Sequence, residues 1–266
     1  MLQNPLKERL RRGDAVLGTI VSLPSPEVVE IVGVAGYDWV LLDMEHGPLT
    51  SETLQAMVRA CRAVGITPIA RVPDHRPKQI LQVLDVGCVG VMVPQIETPE
   101  QAVAAVAATK YAPEGTRSLA GGTAASSWGA VSLGDHVTTS NAVVISVLQI
   151  ETRRGLAAVE QIAEVPGVDV LFIGPSDLSQ SLGHPGRPDH PEVQAAIRRI
   201  VETGRRAGVA VGILALTPED VRTYHALGAT MFVDSATRLF LRAAQAQVTG
   251  LRQAAASVAA RSRGDR

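Results

Sequence analysis

The chain has 266 residues, with 25 Lys+Arg against 26 Asp+Glu, 46% hydrophobic residues and only 3% aromatic ones. That apolar content excludes global disorder, and the near-zero net charge with few aromatics argues against a nucleic-acid surface. Two cysteines, Cys61 and Cys88, are too few for a disulfide framework or a four-thiolate zinc site.

Met1 to Asp14 mixes charges with short apolar residues and has no signal-peptide core, and no apolar run is long enough to span a membrane. The expectation is a cytoplasmic protein. Eight apolar, β-rich runs then follow one another: Ala15–Val21, Trp39–Asp43, Pro68–Val72, Gly90–Pro94, Val143–Gln149, Val168–Ile173, Val209–Ala215 and Met231–Val233. Such near-continuous apolar runs suit strands buried on both faces, as in a parallel sheet. Between them, Ser51–Val64, Pro99–Lys110 and Pro191–Ala207 carry apolar residues at helical spacing, the last two opening on a proline. Eight strand–helix repeats predict a single-domain (β/α)8 TIM barrel over residues 1–266, with an open doubly wound sheet as the alternative.

Two segments break the rhythm. Ala112–Asn141 is rich in small residues and glycines and has no clear period, which marks a functional or mobile connection. Near the C-terminus, Leu241, Ala244, Val248, Leu251, Ala255 and Val258 form a heptad-like seam on an extended helix, longer than a barrel helix needs. The seam predicts a subunit contact, with a frayed charged tail from about residue 259.

In such barrels the chemistry lies at the C-terminal ends of the strands. There the sequence places Asp43, Glu45 and His46 after the second run, Arg71 at the third, Gln149 and Glu151 at the fifth, and Gly174, Pro175, Ser176 and Asp177 after the sixth. Glu151 and Asp177, without nearby thiolates or paired imidazoles, make an oxygen-rich set for a hard cation such as Mg²⁺ or Mn²⁺. The competing reading makes each acid a helix-start or capping residue. His46 is the candidate general base, oriented by Asp43 or Glu45. Arg71 offers a planar fork to a carboxylate or enolate, or else a rim ion pair with Asp43 or Glu45. The other histidines, His75, His136, His184, His190 and His225, lie in helices or loops and are read as structural. The lysines are Lys7, Lys78 and Lys110, none at a strand end, so a Schiff-base mechanism is not expected.

The segments GYDWVLLDMEHGP, RVP, LDVGCVGVMVPQIETPEQA, YAPEGTRS, LQIET and LFIGPSDLSQSLG occur in this order from about Gly18 to Ala236. Together they resemble the HpcH/HpaI aldolase family of metal-dependent class II pyruvate aldolases. The resemblance implies a (β/α)8 barrel, often hexameric, whose terminal helix is exchanged between subunits. It implies a divalent cation, Mg²⁺ or Mn²⁺ with Co²⁺ also admissible, held by Glu151 and Asp177 with Gln149 nearby. Pyruvate or a similar 2-oxo acid would be bound by Arg71 at its keto or enolate oxygen and by the backbone around Gly174, Pro175 and Ser176 at its carboxylate. His46 would transfer protons, paired with an aspartate that falls on Asp85.

The implied reaction is reversible cleavage of a 4-hydroxy-2-oxo acid into pyruvate and an aldehyde through a metal-bound enolate. Dicarboxylate-handling relatives carry an arginine in a stretch written ALARASRW. Here that stretch reads GTAASSW, with Ala124 at the arginine position and Ser127 at another basic one, so a neutral or small aldehyde is expected. The alternatives are an acyl-CoA lyase resembling the citrate-lyase β subunit, an oxaloacetate-type decarboxylase, and a non-catalytic binding protein on a barrel scaffold.

Overall fold

The computed structural model describes residues 3–264, with side chains through residue 256. Its strands are β1 (Val16–Val21), β2 (Trp39–Asp43), β3 (Thr67–Arg71), β4 (Gly90–Val93), β5 (Ile145–Ile150), β6 (Val170–Ile173), β7 (Ala210–Leu214) and β8 (Met231–Ser235). Each pairs in parallel with the next, and β8 returns to β1, closing the barrel. The predicted runs fall on these strands within one or two residues. Closure decides between the two architectures considered.

The barrel interior holds Trp39, Leu41, Ile69, Met92, Val147, Phe172 and Met231, all buried. Trp39 needs room on the neighbouring strand. A Cβ on Gly18 would stand 2.2 Å from its indole, so only glycine fits there. A second apolar layer fills the space between the strands and the surrounding helices.

The helices are α1 (Pro5–Arg12), α2 (Pro26–Val34), α3 (Ser51–Val64), α4 (Pro77–Asp85), α5 (Pro99–Thr109), α6 (Leu133–Val143), α7 (Arg153–Ala157), α8 (Val159–Ala163), α9 (Pro175–Ser181), α10 (Pro191–Ala207), α11 (Pro218–Leu227) and α12 (Ala236–Gly264). Helix α1 plugs the N-terminal end of the barrel. Leu6 and Leu10 join the interior cluster, Asn4 Nδ2 donates to the carbonyls of Val89 and Val143, and Lys7 Nζ to that of Val144. Lys7 and Lys110 are thus buried at the end of the barrel opposite the strand C-termini.

The Ala112–Asn141 segment contains one short 3-10 turn, Ser127–Gly129, and most of the helix α6. Helix α6 has no apolar stripe because its buried face is polar. His136, Ser140 and Asn141 point inward, and Tyr111 Oη lies 3.0 Å from His136 Nε2. Helix α12 leaves the barrel rather than packing along it. Its Leu239, Phe240, Leu241, Val248 and Leu251 are all exposed within one chain. The predicted seam lies on this helix, which continues through Gly264 across most of the tail expected to fray; the side chains of Val258 and of that tail fall outside the described part.

Candidate active site

Four strand ends converge at the C-terminal mouth. Pairing of β2 with β3 sets Asp43 beside Arg71. Arg71 Nε donates to Asp43 Oδ1 at 2.9 Å and Nη2 to Oδ2 at 2.7 Å, both side chains being buried. Nε also lies 3.2 Å from Glu45 Oε2. Burial works against ionisation of Asp43, yet the hydrogen bonds and charge of Arg71 hold its carboxyl below the ordinary value. Asp43 Oδ1 further accepts from the N–H groups of Glu45 (3.1 Å) and His46 (3.3 Å), which shapes the turn after β2.

Asp43 therefore orients Arg71 and the turn, not the imidazole of His46. The carboxylate nearer the ring is Glu45, with Oε2 3.9 Å from His46 Nε2. The His46 side chain is 64% exposed at the mouth.

Across the mouth, Gln149 and Glu151 are buried. Glu151 Oε1 accepts from the N–H of Gln95 at 3.1 Å, and Oε2 accepts from Gln149 Nε2. Gln95 holds φ at +53°, an uncommon conformation for a residue with a side chain, and this helps its amide reach the acid. Neither acid is spent on capping. Thr152 caps α7, and Gly174 opens α9 with no side-chain cap, leaving Asp177 exposed in the first turn.

The electrostatics of this corner are unbalanced. Burial, and then the charges of Asp177 and Glu45, push the Glu151 carboxyl up to about 7. Gln149 Oε1 is buried without a hydrogen-bond partner. Glycine at 174 keeps the corner open. A Cβ there would stand 2.4 Å from Glu151 Oε2 and 2.9 Å from Gln149 Nε2. Crowded carboxylates plus an orphaned amide oxygen form an all-oxygen donor set, which fits a hard divalent cation at Glu151 and Asp177.

Residues 17–240 match the model of the HpcH/HpaI aldolase/citrate lyase family. The chain belongs to that family. It is 42% identical over 231 residues to a hydroxypyruvate/pyruvate aldolase of Paraburkholderia phytofirmans, covering 85% of this chain and 88% of the relative. It is 38% identical over 227 residues to a 5-keto-4-deoxy-D-glucarate aldolase of Salmonella paratyphi C, covering 85% and 88%. The crystal structure of an HpcH/HpaI aldolase/citrate lyase family protein from Burkholderia cenocepacia J2315 superposes with a TM-score of 0.90 at 39% identity, covering 94% of this chain and all of the other. As an HpcH/HpaI member this chain is a carbon–carbon lyase of the aldolase type.

Not every expected site residue reaches the mouth. Asp85 ends α4, and in a barrel the helix C-termini lie at the N-terminal ends of the strands. There it pairs with Arg117 at 2.8 Å, and its carbonyl accepts from the Ala125 N–H at 3.2 Å. Within one chain, Asp85 and His46 are therefore at opposite ends. The stretch containing Ala124 and Ser127 sits beside Asp85, also reached by Arg62 from the end of α3. That stretch cannot cover its own chain's mouth.

The reading of His184 and His190 as plain loop residues missed a cluster. Their rings stack and Glu192 joins them. The spacing H-x5-H-x-E, straddling a helix start, was the available signal.

Proposed function

We propose that this chain reversibly cleaves 4-hydroxy-2-oxo acids into pyruvate, or a pyruvate-like 2-oxo acid, and an aldehyde. The observation that carries the reading is the buried Glu151, crowded by Asp177 and Glu45 and facing the Asp43–Arg71 pair across one mouth. Glu151 and Asp177 would hold a divalent cation, Mg²⁺ or Mn²⁺, which when bound supplies Lewis-acid polarisation of the 2-oxo acid.

The chain's own groups do the rest. Arg71 is locked by Asp43, so its guanidinium is pre-oriented and stabilises negative charge developing on the keto oxygen. The first-turn amides of Ser176 and Asp177 have no intrahelical partners and receive the substrate carboxylate, with Gly174 and Pro175 setting the bend. Gln149 fixes Glu151 through Nε2. His46, free at the mouth, takes the proton of the 4-hydroxyl in cleavage. The C3–C4 bond then breaks, the aldehyde leaves, and a proton returned to C3 completes pyruvate.

Asp85 enters this scheme from a neighbouring subunit. It sits with Ala124 and Ser127 at the far end of the barrel, and Trp128 beside them is 63% exposed on a backbone at φ +58°. An exposed indole on strained backbone supports a docking segment. We read it as seated over another copy's mouth, where Ala124 supplies no cation to a distal carboxylate. A neutral or small aldehyde follows.

The uncovered residues of α12 support helix exchange in the same assembly, a hexamer on the family resemblance. A groove of about 850 Å³ lined by Leu17, Tyr37, Val221 and Phe232, with Leu239 and Arg242 of α12 on one side, opens beside the start of that helix. The decisive test is solvent exchange at the methyl group of pyruvate in D₂O, followed by NMR on EDTA-treated protein with and without Mg²⁺ or Mn²⁺. Metal-dependent exchange is expected, and its absence with every cation would overturn the reading.

A further inference from the structure

We propose that the loop joining α9 to α10 forms a second cation site, separate from the carboxylate mouth and suited to a transition metal such as Zn²⁺. His184 and His190 stack with ring centroids 3.5 Å apart and planes 19° from parallel. Glu192 reaches the same point, its Oε2 2.9 Å from His184 Nε2. One ligand atom from each of the three lies within 4.8 Å of the others. Tetrahedral bonds of about 2.0–2.1 Å need donors roughly 3.3 Å apart, so binding unstacks the rings and turns their in-plane lone pairs toward one point.

The loop is braced by its own backbone. The His184 N–H donates to the Ser179 carbonyl at 2.7 Å, that of Arg187 to His184 at 3.0 Å, and that of His190 to Arg187 at 3.0 Å. Gln194 Nε2 donates to the Pro188 carbonyl at 2.9 Å. His190 Nδ1 accepts from the Glu192 N–H at 3.3 Å, a helix-start bond that metal binding gives up, since an imidazole has one lone pair to offer and its other ring nitrogen then carries the proton. Both imidazoles are half-buried, whereas Glu192 is exposed and accessible to an arriving ion.

Two imidazoles and one carboxylate favour Zn²⁺, Co²⁺ or Ni²⁺ over Mg²⁺, unlike the oxygen-only mouth. Three protein ligands leave a fourth position for water or a small anion. One group opposes the cation: Arg153 Nη2 lies 3.7 Å from Glu192 Oε1, and the Leu182 carbonyl holds it on that side. Arg153 also ties the loop to the strand carrying Glu151. Its N–H donates to Ser181 Oγ at 2.8 Å and its Nη2 to the Leu182 carbonyl at 3.0 Å. A metal here clamps the loop beside the catalytic mouth without entering it.

The test uses EDTA-treated full-length protein carrying Glu151→Gln and Asp177→Asn, which removes the oxygen-rich site. Co²⁺ is titrated in and visible absorption recorded, because four-coordinate Co²⁺ absorbs far more strongly than six-coordinate Co²⁺. The expected result is one equivalent with an intense spectrum, displaced by Zn²⁺ and lost when His184→Ala and His190→Ala are added. Should the alanine variants fail to fold, Glu192→Gln decides. It keeps shape and hydrogen bonding, and its Zn²⁺ affinity should fall by more than the roughly 10–100-fold typical of losing an outer-shell partner. No intense spectrum in the Glu151→Gln/Asp177→Asn protein, or an unchanged Zn²⁺ affinity in Glu192→Gln, would reduce the cluster to an ion pair at a helix start.

Discussion

Burial and the neighbouring charges of Asp177 and Glu45 work against ionisation of Glu151. Its folded carboxyl titrates at about 7 against an ordinary 4.5, so between those values the folded state keeps a proton that the unfolded chain has released. Stability therefore falls as pH rises through that window and levels off above it. The size is about 3 kcal/mol by the conversion of 1.36 kcal/mol per pKa unit. Thermal midpoints of chelated protein should drop between pH 5 and pH 7.5, and Glu151→Gln should flatten the profile. Lys110, lowered to about 8 by burial and then by Lys7, acts with the opposite sign and only above that window. The Asp43–Arg71 pair allows a separation of roles. Arg71→Lys keeps the charge but loses the fork, and should slow pyruvate methyl exchange by on the order of 10²–10³-fold with the fold intact. Asp43→Ala leaves the buried guanidinium with Glu45 as its remaining ion-pair partner, and should lower unfolding free energy in urea by about 3 kcal/mol, the low end for breaking a buried pair.

At the scale of elements, the β6–α9 junction controls whether the mouth can open to a cation. Gly174→Ala drives a methyl into Glu151 and Gln149, so Mn²⁺ affinity measured by EPR should fall by on the order of tenfold or more, with the barrel still folded. Some elements were plain in the sequence. Helices α3 and α10 start and stop where their caps and amphipathic spacing put them, at Thr50 and Gly65 and at His190 and Gly208. Helix α6 was not, because its inward face pairs His136 and Asn141 with Tyr111 instead of burying an apolar stripe. Helix α9 decides against the competing reading of Asp177 as a cap, because Gly174 opens the helix and Asp177 stands exposed in its first turn.

At the scale of the molecule, residues that the proposed reaction would bring together lie at both ends of the barrel. If the site is completed between subunits, His46→Ala and Asp85→Ala proteins should each be inactive alone. Mixed after dissociation and reassembly, they should regain activity, since some mouths then combine an intact His46 with an intact Asp85. Recovery no greater than the sum of the separate proteins would confine the chemistry to one chain. Truncation after Gln245 should yield smaller assemblies in analytical ultracentrifugation, because it removes Val248 and Leu251 from the exposed face of α12.

The amino-acid sequence by itself determined the strand–helix alternation, the set of polar groups at the strand ends, and the family through its ordered motifs. These are local properties: apolar runs, caps, prolines at helix starts and acids following strands. Only the tertiary structure decided which groups meet. It joined Asp43 to Arg71 rather than to His46, paired Asp85 with Arg117 beside the Ala124 stretch, and stacked His184 on His190 across a loop. Each depends on barrel closure and on which helix end faces which mouth, and these are relations between segments distant along the chain.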